Sequence, residues 1–196
     1  MRIIAFVGMP ASGKSEASRV AQRRGIPVVV MGDAVREEAK RCGIDLIDAN
    51  IGGLADQLRA AEGMDAIAKR CVPAIRKLYG TADTVVIDGI RGLSEVDCFR
   101  CELGDDFMLI AIDTPIDTRL KRISGRKRSD AITSMESLKA RDEREMRWGI
   151  VEAIASANHV IRNTGKIGRF RRDVEFMIDK ASRVQGKDDR NCNTNF

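Results

Sequence analysis

The stretch "FVGMPASGKS", Phe6–Ser15, carries Gly8, four intervening residues, and then Gly13, Lys14 and Ser15. That spacing suits a loop that wraps phosphate groups. The glycines let backbone N–H groups turn inward, the lysine adds a cation, and the serine offers a hydroxyl to Mg²⁺. An apolar run, "IIAFV" (3–7), precedes the loop, and a helical pattern from Lys14 to Arg24 follows it and closes at Gly25. A strand feeding a glycine loop and then a helix start aims the unpaired N–H groups of that helix at an anion. The spacing therefore predicts a phosphate cradle built from Gly8, Met9, Pro10, Ala11, Ser12, Gly13, Lys14 and Ser15. Lys14 would bridge the β- and γ-phosphates, and Ser15 would be a metal ligand.

Working outward, four more short apolar runs alternate with longer helical patterns: "PVVVM" (27–31), "TVVID" (84–88), "FMLIAID" (107–113) and "HVIRN" (159–163). Strands buried on both faces read this way, which predicts an α/β fold with a five-stranded parallel sheet in a three-layer arrangement. Two connections are long. From Gly32 to Gly80, Leu54, Ala55, Leu58, Ala61, Ile67, Ala68, Val72, Ile75 and Leu78 recur at helical spacing, predicting a helical insertion with a bend near Pro73. The second, Arg122–Trp148, is highly charged; both are candidate flaps above the sheet. The chain reads as one domain over 1–182, with a tail over 183–196 that lacks a buried face and is expected to be disordered.

Of the 196 residues, 43% are hydrophobic and 32% charged, an ordinary globular balance. No apolar run approaches the roughly 18 residues that span a membrane. The N-terminal run is too short for a signal-peptide core, so a cytoplasmic protein without membrane partners is expected. The five cysteines have no framework spacing, and Cys98–Cys101 has no second pair to complete a zinc site. A net charge of +5 suits an anionic partner. Aromatic residues are only 4%, which leaves few platforms for stacking bases and argues against nucleic acid.

Several segments resemble nucleotide kinases. "MGDAVREE" (31–38) is similar to the G-D-x-hydrophobic-R segment of adenylate kinases, and "VIDGIRG" (86–92) to their D-G-F-P-R segment, one residue shorter and without the proline. "RLKRISGRKR" (119–128) and "ARDERE" (140–145) resemble their arginine-bearing lid helices, and "NTGKI" (163–167) the loop that holds adenine. Over about residues 1–180 the chain resembles this P-loop kinase family, closest to the adenylate-kinase-like P-loop proteins found in archaea.

The resemblance implies a P-loop NTPase fold with a helical acceptor-binding insertion (about 32–80) and an arginine-rich lid (about 122–148). ATP would be the co-substrate and Mg²⁺ the cofactor. Two strand-terminal carboxylates compete as the second metal ligand, Asp88 and Asp113. In kinases of this type the third strand lies beside the first, which favours Asp88. Arg119, Thr164 and Gly165 would contact ATP. Arg36, Arg91 and Arg141 would hold the acceptor. Arg119, Arg122 and Arg126 fall at i, i+3 and i+7, and Arg141 and Arg144 repeat the i, i+3 spacing. Of these, Arg122 and Arg126 would act catalytically by neutralising charge on the transferring group.

Asp33 is ambiguous. Dephospho-CoA kinases resemble "GIPVVVMGDAVRE" (25–37) with the pattern G-I-P-hydrophobic-D-A-D-x-hydrophobic-x-R, in which Asp33 matches the second aspartate and Met31 replaces the first. A hydroxyl acceptor would give Asp33 a catalytic or acceptor-orienting role; a phosphate acceptor has no proton to remove, and Asp33 would then cap a helix. The reading is ATP-dependent phosphoryl transfer to a nucleotide-like molecule of the nucleoside monophosphate kinase type. Transfer to a sugar hydroxyl stays open. So does an RNA-associated factor or nucleotide switch with little turnover, given six basic residues between Arg119 and Arg128.

Overall fold

The structure, a computed structural model, describes residues 1–123 and 135–183. The chain runs β1 (Arg2–Val7), α1 (Lys14–Arg23), β2 (Val28–Val30), α2 (Met31–Arg41), α3 (Asp48–Glu62) and α4 (Ala66–Arg76). It continues through β3 (Thr84–Asp88), α5 (Leu93–Leu103), β4 (Phe107–Asp113) and α6 (Ile116–Ile123). The described part closes with α7 (Met135–Arg147), α8 (Ile150–Ala155), β5 (His159–Arg162) and α9 (Ile167–Arg183). The five strands form one parallel sheet in the order β2-β3-β1-β4-β5.

Strand alternation sorts β1 between two cores. Ile3, Ala5 and Val7 pack with residues of α2–α5 and α8, while Ile4 and Phe6 pack with α1 and α9 on the opposite face. β1 is fully buried because it lies at the centre, flanked by β3 and β4. The edge strand β2 is half-buried and shorter than its apolar run suggested; Met31 already belongs to α2.

The 32–80 segment is helical, and α4 continues through Pro73 to Arg76. Cys98 is buried and Cys101 exposed, both as free thiols. Residues 124–134 of the expected lid, and the expected tail from residue 184 on, lie outside the described residues. Among the described residues no helix is long and apolar enough to cross a membrane.

In register, Phe6 pairs with Asp88 and Val7 with Ala111, so the C-terminal ends of three strands open on the glycine loop. That end of a parallel sheet is where such folds place ligands.

Candidate active site

The glycine loop is shaped by positions that tolerate no side chain. Gly13 precedes α1 in left-handed backbone at φ 119°, and a Cβ there would strike the Asn163 amide. A Cβ on Gly8 would lie 2.6 Å from the Ile112 carbonyl oxygen. One loop carbonyl gathers three side chains. The Ser12 carbonyl accepts hydrogen bonds from Thr114 Oγ1 (2.9 Å), Asn163 Nδ2 (2.8 Å) and Arg122 (3.1 Å). Arg122 also donates to the main-chain and side-chain oxygens of Asn163, at 2.8 and 2.9 Å. In this state Arg122 ties the loop to the segment after β5.

Lys14 is buried, and its ammonium donates to the carbonyls of Gly8 and Met9. Burial, together with Arg91, Arg141 and Arg119, holds its pKa well below the usual lysine value; Asp88 opposes them. A nucleotide's phosphates would reverse the balance, since an adjacent anion favours the charged form. ATP binding is therefore expected to take up protons, increasingly as pH rises through the lowered pKa of Lys14. Calorimetry in buffers of different ionisation enthalpy measures this directly. Uptake that is absent, or that falls with pH, would contradict the expectation.

Ser15 and Asp88 line the same cleft. The Asp88 carboxylate is buried at the end of β3 and accepts from Ser18 Oγ at 2.8 Å, which fixes its rotamer. A hydroxyl and a fixed carboxylate are the hard oxygen donors that Mg²⁺ takes alongside nucleotide phosphates and water. These residues fit that ion, which would supply charge neutralisation on the phosphates. Asp113, the competing carboxylate, is exposed at the end of β4 and does not line the cleft.

The cleft has a volume of about 570 Å³ and extends from the loop to α3. Arg36, Arg91 and Arg141 all line it. Arg91 pairs with Glu145, which also accepts from Arg141 at 3.1 Å, and the Arg91 N–H donates to Glu95 at 2.7 Å. Glu95 binds Arg59 on α3 at 2.7 Å, both side chains being buried. Arg59 lies 4.1 Å from the Trp148 ring centre, and the Trp148 indole N–H donates to Asp56 at 2.6 Å. Charges thus alternate from α3 to α7 as Arg59, Glu95, Arg91, Glu145, Arg141. Asp33 does not line the cleft. It is exposed and pairs with Arg36 at 2.5 Å, and no side-chain hydrogen bond caps α2.

Arg119, Thr164 and Gly165 do not line this cleft. Arg119 is buried in a two-pronged bond to Asp142 (2.9 and 2.8 Å) and donates to the Pro10 carbonyl at 3.1 Å, bracing the loop from behind. Thr164 and Gly165 line a separate cavity of about 440 Å³ between β5 and α9. Arg126 lies outside the described residues.

An AAA-domain family pattern matches residues 7–139. The chain is 52% identical to a UPF0200 protein of Methanosarcina barkeri over 183 residues, covering 93% of this chain and 97% of that one. It belongs to the UPF0200 family. A UPF0200/UPF0201 protein of Archaeoglobus fulgidus is 51% identical across 93% of this chain, and the chain spans only 57% of its length. Among solved structures, a gluconokinase from Sinorhizobium meliloti aligns with a TM-score of 0.58 at 15% identity, covering 95% of this chain and 97% of that one. That likeness shows that this UPF0200 chain has the P-loop kinase fold.

Sequence reasoning missed the partners that set this geometry: Arg59, Glu95, Asp142, Glu145 and Asn163. Asp142 and Glu145 sit within the quoted "ARDERE", where only the arginines were read. A cluster of buried guanidiniums requires nearby carboxylates, so their presence was a usable signal.

Proposed function

We propose that the protein is a Mg²⁺-dependent kinase that transfers the γ-phosphoryl group of ATP to a nucleotide-like small molecule, of the nucleoside monophosphate type. One observation carries this reading: Lys14, Ser15 and Asp88 share a single cleft with Arg36, Arg91 and Arg141. A cation, metal ligands and guanidiniums lining one cleft suit two phosphorylated molecules brought together for in-line transfer. Lys14 would stabilise charge on the transferring group, and Arg36, Arg91 and Arg141 would orient the acceptor's phosphate.

A phosphate acceptor is favoured over a hydroxyl. The carboxylates lining the cleft are Asp88, held by Ser18, and Glu145, held between Arg91 and Arg141. Asp88 is the metal-ligand candidate and Glu145 is ion-paired with two arginines, and a phosphate nucleophile needs no proton acceptor. Asp33→Asn is accordingly expected to leave kcat within a few-fold of wild type, with circular dichroism confirming the fold. A loss beyond about 10²-fold, the lower range of general-base contributions, would favour transfer to a hydroxyl instead. Arg36→Ala is expected to raise the acceptor's KM and lower kcat/KM while leaving the KM for ATP nearly unchanged. Equal damage to both would mean that Arg36 does not serve the acceptor.

A further inference from the structure

Gly52 lies inside α3, where a glycine costs helix stability relative to alanine. The neighbouring glycine, Gly53, has nothing within 4 Å of where its Cβ would be. Gly52 differs: a Cβ there would sit 2.6 Å from a terminal guanidinium nitrogen of Arg144 and 2.7 Å from its central carbon. The guanidinium therefore occupies the space that a side chain would fill, against the backbone of α3. Both residues line the phosphate cleft, as do Arg59 and Trp148, and the Arg144 guanidinium lies 5.6 Å from the Trp148 ring centre.

Most of the charged side chains that line this cleft are cationic. Lys14, Arg36, Arg59, Arg91, Arg141 and Arg144 line it against the carboxylates Asp88 and Glu145. Such a site favours an anionic occupant. Arg144 enters from α7 and Gly52 from α3, so the two helices meet where that occupant would sit.

We propose that Gly52 and Arg144 form an acceptor-reading pair, in which the absent side chain seats the Arg144 guanidinium so that it binds an anionic oxygen of the acceptor. The inference rests on the kinase reading above and assigns one end of that cleft. Gly52 is a positioning residue, and Arg144 a binding one. Because the atoms in the way are the far end of a flexible side chain, alanine at Gly52 displaces Arg144 without disturbing the packing of α3. Gly52→Ala should therefore match or exceed the wild-type melting temperature and yet bind acceptor less well. A purely structural glycine would lose stability and affinity together.

Trp148 is the chain's only tryptophan, so its emission reports on this end of the cleft alone. Without ligand, acrylamide quenching of Trp148 should change in Gly52→Ala and Arg144→Ala but not in Gly53→Ala. The wild-type chain and these variants are then titrated with AMP, GMP, CMP and UMP, following Trp148 emission. The wild type should show a saturable response to at least one. Arg144→Ala should weaken it about tenfold or more, in line with loss of a charge-assisted bond. Gly52→Ala should weaken it in the same direction, and the double variant should be no worse than Arg144→Ala, because both remove one contact. Gly53→Ala should bind as wild type. The proposal is overturned if Gly52→Ala and Gly53→Ala behave alike, or if Arg144→Ala keeps wild-type affinity. A wild-type chain silent to all four monophosphates would overturn the nucleotide reading and the binding role of Arg144 with it. The quenching comparison would still decide whether Gly52 seats Arg144.

Discussion

Replacing Lys14 with alanine is expected to lower turnover by about 10²-fold or more, the scale on which removal of a major electrostatic stabiliser acts. The ammonium sits inside the glycine loop on the carbonyls of Gly8 and Met9, at the start of α1. It is therefore held where the helix N-terminus and the loop N–H groups converge on a phosphate. Burial and three neighbouring guanidiniums lower its pKa, and an adjacent phosphate would favour the charged form. Removing the side chain relieves that repulsion, so the variant should fold as well as wild type. Steady-state ATP consumption and a thermal melt on the same sample separate the two effects. Wild-type turnover in a folded variant would contradict the role given to the loop.

Asp142→Ala should produce the largest loss of stability. Arg119 and Asp142 are both buried and bonded through two parallel hydrogen bonds, and Arg119 also supports the Pro10 carbonyl. Removing the carboxylate strands a guanidinium in the interior, which typically costs about 3–5 kcal/mol. For a chain of this size the melting temperature should fall by on the order of 10 °C. The paired replacement Arg119→Met with Asp142→Leu removes both charges and keeps apolar volume. It should recover most of that loss, because a buried ion pair gains little over well-packed apolar groups. If the double variant is as unstable as Asp142→Ala, the carboxylate has a further role.

The fold was readable because its central strands are buried on both faces. β1, β3 and β4 carry nearly unbroken apolar runs, and β3 and β4 match theirs residue for residue. At the edge, β2 stops at Val30 because Met31, apolar like its predecessors, packs from α2. Apolar character alone does not distinguish those two uses. The phosphate loop was legible for a different reason, since its glycines are demanded by backbone geometry at fixed spacing. Arg36, Arg91 and Arg141 came from the family resemblance, and they line one cleft. Their partners were not legible. Arg91 and Glu145 are 54 positions apart, and Arg59 and Glu95 are 36 apart. Local sequence shows that buried arginines need carboxylates, and only the tertiary fold selects which ones. Arg119 and Arg122, three positions apart on α6, both donate to the glycine loop, at Pro10 and Ser12, and take Asp142 and Asn163 as further partners.

The central claim is that this cleft moves a phosphoryl group from ATP to a phosphate-bearing acceptor. The direct measurement is transfer of label from γ-labelled ATP, with Mg²⁺, to a panel of nucleoside monophosphates and dephospho-CoA, resolving the labelled product. The account predicts a labelled nucleoside diphosphate from at least one monophosphate, lost in Lys14→Ala. Label on dephospho-CoA alone, or ATP consumption that no acceptor accelerates, would contradict it.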